Sequence, residues 1–253
     1  MYPVLFSVWG FEITSFGVLV AVAALVGISM FRRELVRSGL PEDAADGGII
    51  GVLGGLTGAK LLWVAEHAGE EPFSGLLFSR GGLSWFGGLA GGVGAALLYF
   101  VLKGYPIVRT IAAASPALAA GHAIGRVGCF LVGDDYGRPT DLPWGVAFPM
   151  GLPPTTERVH PTQLYEALFL VPLTLLLIRW RRAGVRDHVV LGRYFALAGA
   201  ARFLIEFVRI NERVLAGLTV AHWAALVLIF AGVMMMRLGP RNSPQVIRAH
   251  GTK

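Results

Sequence analysis

Seven apolar stretches run through the chain and set the main limit on its fold. They cover about 12–31, 47–66, 82–102, 110–131, 163–178, 189–208 and 218–236. A helix that crosses a bilayer needs about 20 apolar residues, which is close to the length of most of these stretches. The sequence therefore predicts an all-α, polytopic membrane bundle of about seven transmembrane helices.

The composition agrees with a membrane protein. Of 253 residues, 55% are apolar and 15% are charged, whereas a soluble domain is about 25% charged. This excludes a disordered chain, a basic nucleic-acid-binding module and a disulfide scaffold, since a single cysteine cannot form an internal disulfide. The net charge of +6 is explained by basic cytoplasmic loops, so we expect no nucleic-acid partner.

The distribution of basic residues predicts the orientation in the membrane. With the N-terminus outside, the cytoplasmic segments hold 13 Lys and Arg and the outer segments hold 5. This bias favours an outer N-terminus and a cytoplasmic C-terminus. Residues 1–11 lack the basic residues that begin a signal peptide, so we expect the first stretch to be retained.

One domain accounts for the whole chain. We expect an integral-membrane domain over 1–239 and a short polar cytoplasmic tail over 240–253. The longest connection, about 132–162, carries Trp144, Phe148 and several prolines, which favour an ordered arm on the outer membrane surface. The many Gly and Ala residues within the spans predict close helix packing.

Ionisable residues inside the spans are the first candidates for function, because each costs at least about 2.5–3.5 kcal/mol to insert. Arg202 and Glu206 lie four apart on one helix face and can pair. A structural ion pair is one interpretation of them. Arg126 on a different span favours the other interpretation, an anionic ligand held by two arginines.

Glycines surround Arg126 in the segment AIGRVGCFLVGDDYGR. Gly125, Gly128, Gly133 and Gly137 permit unusual dihedrals and close approach to the backbone. A bulky lipid headgroup is therefore expected to reach the backbone here.

The segment His160–Glu166, HPTQLYE, opens the fifth span. We predict Thr162 as its N-cap, with Tyr165 and Glu166 one turn into the helix near the membrane interface. An ordinary capped helix start would have a similar sequence.

Four blocks in this order resemble the prolipoprotein diacylglyceryl transferase family. They are GGLSWFGGLAGG (81–92), GHAIGRVGCFLVGDDYGR (121–138), HPTQLYE (160–166) and ARFLIEFVR (201–209). Each alone is weak, but together they are fairly specific and span almost the whole chain. The family also has seven spans with the N-terminus outside, as expected above on other grounds.

The resemblance implies a reaction in the bacterial inner membrane. The diacylglyceryl group of phosphatidylglycerol passes to the lipobox cysteine thiol in the signal peptide of a preprolipoprotein. A thioether forms and glycerol phosphate leaves. Cations must hold the phosphate, and the thiol, with a pKa of about 8.5, needs help to ionise. We expect no metal or other cofactor, and a monomer.

The resemblance also assigns roles residue by residue. Arg126 and Arg202 match the family's two important arginines and would clamp the phosphate, with Asp134 replacing the signature glutamate and Glu206 following in pattern. The remaining residues expected at the substrate are Lys60, Ser84, Gly125, Gly128, Gly137, Arg138, His160, Gln163, Tyr165, Glu166 and Arg209.

Several positions depart from the family pattern. Phe86 stands where the family has a histidine proposed as the base, and phenylalanine cannot accept a proton. Cys129 and Val132 replace two asparagines, Asp134 shortens a glutamate, and Lys60 takes the place of an arginine. We interpret Cys129 as a small buried apolar residue.

Three explanations for the missing histidine stay open. The base comes from elsewhere, from Asp134, Asp135, His122 or Glu206; or electrostatics carries most of the acceleration without it; or the chain is a divergent paralogue. His122 is also interpreted as a structural histidine. The rival function is a non-catalytic binder of anionic lipid or an anion or lipid transporter, although no internal repeat typical of transporters is evident.

Overall fold

The computed structural model of the protein describes residues 3–9, 11–70, 72–79 and 82–239. Seven of its helices are long and apolar enough to cross a membrane, which confirms the predicted all-α membrane bundle. They are α1 (Ser15–Arg37), α2 (Asp46–Glu66), α4 (Trp85–Leu102), α5 (Ile107–Val132), α6 (Thr162–Arg182), α7 (Asp187–Glu206) and α8 (Val220–Leu238). The tail predicted over 240–253 lies outside the described residues, as do Arg80 and Gly81 before the fourth helix.

The connections contain structure that the hydropathy pattern does not predict. A short helix, α3 (Phe73–Phe78), lies between α2 and α4. Three antiparallel hairpins pair β1 (Val4–Val8) with β2 (Phe11–Thr14), β3 (Val146–Phe148) with β4 (Thr155–Val159), and β5 (Arg213–Leu215) with β6 (Leu218–Thr219). All six strands belong to the end of the bundle where α1 and α8 begin and α5 ends.

The segment 132–162 is an ordered arm, as its aromatic residues predicted. Its hairpin β3–β4 packs around Tyr136, Phe148 and Val159, which are buried together. The rings of Tyr136 and Phe148 stack with centroids 5.4 Å apart, and the Tyr136 hydroxyl donates to the Pro153 carbonyl at 2.7 Å. This small core fixes the arm above α5 and α6.

The helices α5 and α6 are the most buried of the seven spans. α5 packs along α1 on one side and α6 on the other, and α7 packs along α8. Because both central helices start or end at the arm, polar side chains on their adjoining turns can meet there.

Glycines bring α2 and α4 into backbone contact, as the small residues predicted. A Cβ atom at Gly58 would lie 2.4 Å from the Gly87 carbonyl oxygen, and one at Gly91 would lie 2.4 Å from the Gly54 carbonyl oxygen. Real side chains cannot approach so closely, so these positions admit only glycine. Close packing of this kind replaces apolar burial as the source of helix association in lipid.

We expect Gly58→Val to separate α2 from α4 and to lower the stability of the protein in detergent by about 1–3 kcal/mol, the usual cost of overpacking. Gly94→Val is the matched control on α4, because a Cβ atom there would meet no atom within 4 Å. Thermal unfolding of the two variants checks the prediction. Equal melting temperatures would show that the contact between these helices does not depend on glycine.

Candidate functional site

Six charged side chains converge where α5 ends, α6 begins and α7 ends. Arg126 lies in the last two turns of α5, and Glu166 lies in the first two turns of α6. Arg202 and Glu206 lie in the last turns of α7. The remaining two, Asp135 and Arg209, follow α5 and α7 in the chain.

The six side chains form a closed ring of alternating charge, which we call the arginine ring. Its members are Arg126, Glu166, Arg202, Glu206, Arg209 and Asp135. In that order, the nitrogen-to-oxygen distances between neighbours are 2.8, 2.7, 2.7, 3.6 and 2.6 Å, and Asp135 returns to Arg126 at 2.8 Å. Each carboxylate therefore bridges two guanidinium groups.

Most of the ring is buried, but it is open at two members. The side chains of Arg209 and Glu206 are 6% and 0% exposed, whereas those of Arg202 and Asp135 are 31% and 47% exposed. Three positive and three negative charges cancel, which offsets the large desolvation cost of burying each ion. A ligand can reach the ring at Arg202 and at Asp135.

The turn after α5 places Asp135 in the ring. Gly133 ends the helix in the left-handed conformation, with φ of +73°, and Asp135 also has a positive φ, +61°. Aspartate tolerates this region better than most residues, but the conformation still needs support. The Asp135 carbonyl accepts hydrogen bonds from the Thr162 hydroxyl at 2.7 Å and from Arg209 Nη1 at 3.0 Å.

The pKa values of the two adjacent aspartates are shifted in opposite directions. Burial alone would raise the pKa of Asp135, but Arg209 and Arg126 outweigh burial and hold that pKa below its ordinary value. Burial raises the pKa of Asp134, which lies outside the ring. Its Oδ1 is buried and has no hydrogen-bond partner among the residues that the structure describes. Asp135 is therefore the firm anion of the pair, and Asp134 is the one that accepts a proton more readily.

Glu206 anchors the ring to the start of α8. Its Oε1 accepts from Thr219 Oγ1 at 2.7 Å and from Asn211 Nδ2 at 2.8 Å. Thr219 also caps α8 in a reciprocal arrangement with His222. The predicted pair of Arg202 with Glu206 is confirmed at 2.7 Å.

The arm supports the site through a chain of polar contacts. The indole Nε1 of Trp144 donates to the Tyr165 hydroxyl at 2.8 Å, and His160 Nδ1 lies 3.1 Å from the same hydroxyl. Arg138 donates from Nε to the Arg209 carbonyl at 3.1 Å. These residues tie the arm to the helices that carry the ring.

Three of the expected substrate residues serve the internal packing of the site. A Cβ atom at Gly137 would lie 2.4 Å from the Val208 carbonyl oxygen, and one at Gly128 would lie 3.2 Å from the Phe16 ring. Gln163 is fully buried and donates from its side chain to the Asp134 carbonyl. At Gly125, in contrast, a Cβ atom would meet nothing within 4 Å, which leaves the backbone open to approach.

Lys60 and Ser84 lie among residues of α2, α4 and the segment between them. Lys60 Nζ donates to the Ser79 hydroxyl at 2.8 Å and lies 4.5 Å from the centre of the Trp63 ring. Ser84 donates to Glu66 Oε1 at 3.2 Å. Their expected role at the substrate stays a prediction.

The prediction that Thr162 is the N-cap of α6 is wrong. Pro161 is the N-cap of α6, and Thr162 is its first helical residue. The reason is that the Thr162 hydroxyl donates to the Asp135 carbonyl instead of accepting from its own helix.

Asp135, Asn211 and Thr219 also belong to the site. The sequence indicated Asp135 only as one possible base, and it did not indicate Asn211 or Thr219. Asp135 could have been found from its position beside Asp134, with Arg126 nearby. Nothing in the sequence pairs Asn211 or Thr219 with Glu206, because the loop and hairpin between α7 and α8 bring them together.

Cys129, Asp134 and Asp135 are grouped closely enough to suggest a metal site, with ligand atoms within 4.8 Å of one another. However, Arg126 Nη1 lies 2.8 Å from Asp135 Oδ2 and 3.5 Å from Cys129 Sγ. A guanidinium thus holds the position that a cation would take, so these residues do not fit a metal.

Comparison with known proteins supplies the chemical context of this geometry. The family model described as prolipoprotein diacylglyceryl transferase matches residues 3–238. A curated relative from Clostridium tetani, named phosphatidylglycerol–prolipoprotein diacylglyceryl transferase, is 29% identical over 94% of this chain and 98% of its own length.

Two further relatives with the same name are similar to this chain. The protein from Synechococcus elongatus is 33% identical over 92% of this chain and 85% of its own length. The protein from Geobacter sulfurreducens is 35% identical over 82% of each chain. The range matched by the family model contains all seven long helices. It also contains the six positions of the arginine ring.

Proposed function

Because the chain belongs to the prolipoprotein diacylglyceryl transferase family, we propose that it moves a diacylglyceryl group from phosphatidylglycerol to the lipobox cysteine of a preprolipoprotein. The thiol loses its proton, and the sulfur forms a bond to the glycerol carbon that carries the phosphate. The bond between that carbon and the phosphate oxygen breaks. Its electron pair stays on the oxygen, and glycerol phosphate leaves.

The arginine ring is the observation that carries this proposal. Negative charge grows on the phosphate as it leaves, so catalysis requires cations fixed at that position before the reaction starts. Arg126, Arg202 and Arg209 are three such cations, held within one ring by carboxylates. Arginine also binds phosphate oxygens through two parallel hydrogen bonds.

The phosphate enters the ring by replacing the Asp135 carboxylate. Asp135 presents Oδ2 to Arg126 and Oδ1 to Arg209, as two oxygens of a phosphate diester would. Its side chain is the most exposed of the six, so a rotation of the Asp135 carboxylate toward solvent would vacate this position. The donors that Asp135 frees on Arg126 and Arg209, and the exposed edge of Arg202, then face the phosphate together.

We therefore expect Asp135→Asn to bind phosphatidylglycerol more tightly, because the asparagine amide competes less well for two guanidinium groups. KM for the lipid should fall several-fold, on the order of 1 kcal/mol of binding. Asp141→Asn, on the same arm, is the matched control. An Asp135→Asn variant with a higher KM would mean that the aspartate helps to bind the lipid instead of occupying its place.

The family and the charge pattern support a setting for this reaction. The protein is a multi-pass membrane protein, and we place it in the bacterial inner membrane with its N-terminus outside and its C-terminus in the cytoplasm. The ring then lies at the outer ends of α5 and α7, level with the outer headgroups. Phosphatidylglycerol and the signal peptide of the preprolipoprotein are its partners, and a monomer suffices because one chain supplies the whole ring.

The test is product formation by the purified protein. We would incubate it in detergent with phosphatidylglycerol and a synthetic lipobox peptide, and search for the peptide bearing a diacylglyceryl group on cysteine by mass spectrometry. The same peptide with serine in place of cysteine is the control. Lipid binding without any adduct would contradict the proposal.

One observation favours a second candidate, a paralogue that binds anionic lipid without transfer. Phe86 stands where the family has its histidine, and it is 60% exposed at the start of α4. A phenylalanine cannot accept the thiol proton. This candidate predicts normal binding of phosphatidylglycerol and no adduct in the same assay.

A further inference from the structure

His122 is an ionisable side chain beside the arginine ring that the proposed phosphate binding does not use. It lies on α5, four residues before Arg126, and its Nε2 is 3.6 Å from Glu166 Oε2. The two partners differ in exposure, since the His122 side chain is 53% exposed and that of Glu166 is 8% exposed. Nε2 of the imidazole thus lies near a buried carboxylate, while about half of the side chain is exposed.

The exposed part of the His122 side chain lies within a membrane span. Ionisable residues in membrane helices face the bundle interior or a polar cavity, because contact with lipid is costly. Gly125 lies three residues further along, on the same face of the helix, and a Cβ atom there would meet nothing within 4 Å. His122 and Gly125 therefore leave the same face of α5 uncovered beside the ring.

The position of His122 along α5 matches the reacting carbon of a lipid bound at the ring. Four residues correspond to about 6 Å along the helix, so His122 lies that much closer to the middle of the span than Arg126. In a phospholipid, the glycerol carbon bonded to phosphate lies on the acyl-chain side of the phosphate. With the phosphate on the ring, this carbon is on the side where His122 lies.

The ring carboxylates are poor alternatives as a base. Asp135, Glu166 and Glu206 each bridge two arginines, so their carboxylates are already engaged in ion pairs within the ring. His122 instead pairs with one carboxylate through Nε2, and none of the described residues bonds to its Nδ1. A carboxylate that holds one imidazole nitrogen sets the tautomer in which the other nitrogen accepts a proton.

We propose that His122 is the general base that deprotonates the lipobox thiol, an inference that rests on the proposed function. Nδ1 takes the thiol proton while Nε2–H points to Glu166. The sulfur then attacks the glycerol carbon, the carbon–oxygen bond breaks, and the electron pair leaves on the phosphate. The imidazolium returns its proton to the departing glycerol phosphate, which restores neutral His122.

The charged groups around His122 suit this cycle. Glu166 faces it from α6, Arg126 lies one turn away on α5, and Arg202 of α7 holds the other oxygen of Glu166. Glu166 stabilises the positive charge of the imidazolium as it forms, and Arg126 and Arg202 hold the Glu166 carboxylate in place.

The first test is His122→Gln, which keeps the size and hydrogen bonding of the side chain but cannot take up a proton at neutral pH. General base catalysis contributes about 100- to 10,000-fold, so kcat should fall at least about 100-fold while KM for phosphatidylglycerol stays within a few-fold. His67→Gln is the matched control, since His67 stacks on Trp63 at 4.5 Å outside the site. Wild-type kcat in His122→Gln would overturn the proposal.

A second measurement separates a base from a residue that only supports the structure. As the pH approaches the thiol pKa of about 8.5, the peptide ionises by itself, so the deficit of His122→Gln should shrink between pH 7 and 9. A selenocysteine lipobox peptide, whose selenol is already ionised at neutral pH, should remove most of the deficit. A deficit that stays constant with pH and with the selenol would overturn the assignment.

The outcome of these assays is distinct from that of the proposed function. If the wild-type protein gives no adduct with either peptide, the transferase proposal fails. If it gives the adduct and His122→Gln gives equal amounts, the transferase stands and only the assignment of the base fails.

Discussion

Arg126→Ala should reduce transfer at least about 100-fold, the usual loss when a donor that stabilises a developing oxyanion is removed. Arg126 joins α5 to the arm through Asp135 at 2.8 Å and to α6 through Glu166 at 2.8 Å. Without it, both carboxylates lose a partner, and the phosphate loses a cation at the position where charge develops. The measurement is the initial rate of peptide modification at saturating phosphatidylglycerol.

A folding defect must be separated from this loss, because removal of one partner from a buried ion pair costs about 3–5 kcal/mol. Arg193→Ala is the matched control, since Arg193 is also an arginine in a membrane span but lies 4.7 Å from the Trp180 ring, away from the arginine ring. Arg126→Lys is the second variant, because it keeps the charge and should restore folding without the paired donors. A folded Arg126→Ala protein with wild-type rates would refute the role of the ring in catalysis.

Glu166→Gln should uncouple lipid binding from chemistry. Glu166 lies between Arg126 and Arg202, at 2.8 and 2.7 Å, and neutralises part of their charge. The glutamine variant leaves the ring with one excess positive charge, so the anionic lipid should bind as tightly as before or more tightly. We expect kcat to fall about 100-fold or more, because the two arginines are no longer held in the orientation that serves the transition state.

Direct binding of phosphatidylglycerol, together with kcat, checks this prediction. Glu157→Gln is the control, since Glu157 lies in β4 on the exposed side of the arm. Weaker lipid binding with an unchanged kcat would show that Glu166 contributes to affinity alone.

The membrane bundle could be predicted from the sequence because hydropathy is a local property. Each span depends on about 20 neighbouring apolar residues, and all seven lie where the apolar stretches occur. The hairpins escaped prediction since β1, β3 and β5 are short and pair within polar or mixed connections. Thr162 failed as an N-cap because a tertiary contact with Asp135 competes for its hydroxyl.

Most residues of the candidate site could be predicted from the sequence, but most of their ion-pair partners could not. An arginine inside a span is conspicuous, so Arg126 and Arg202 stand out, and a spacing of four residues predicts the pair with Glu206. Most of the other pairs join residues far apart in the chain, for example Arg209 with Asp135. Only the left-handed turn at Asp135 and the convergence of three helix ends reveal that the charges close into a ring.

The most direct test of the account compares the two products of one reaction. We would supply phosphatidylglycerol labelled in its glycerol headgroup, then measure released glycerol phosphate and diacylglyceryl-modified peptide from the same sample. If the arginine ring holds the phosphate during transfer, the wild-type protein should give equal amounts of both products. Both amounts should fall together in Arg126→Ala. Glycerol phosphate released without modified peptide, or bound lipid that gives neither product, would contradict the account.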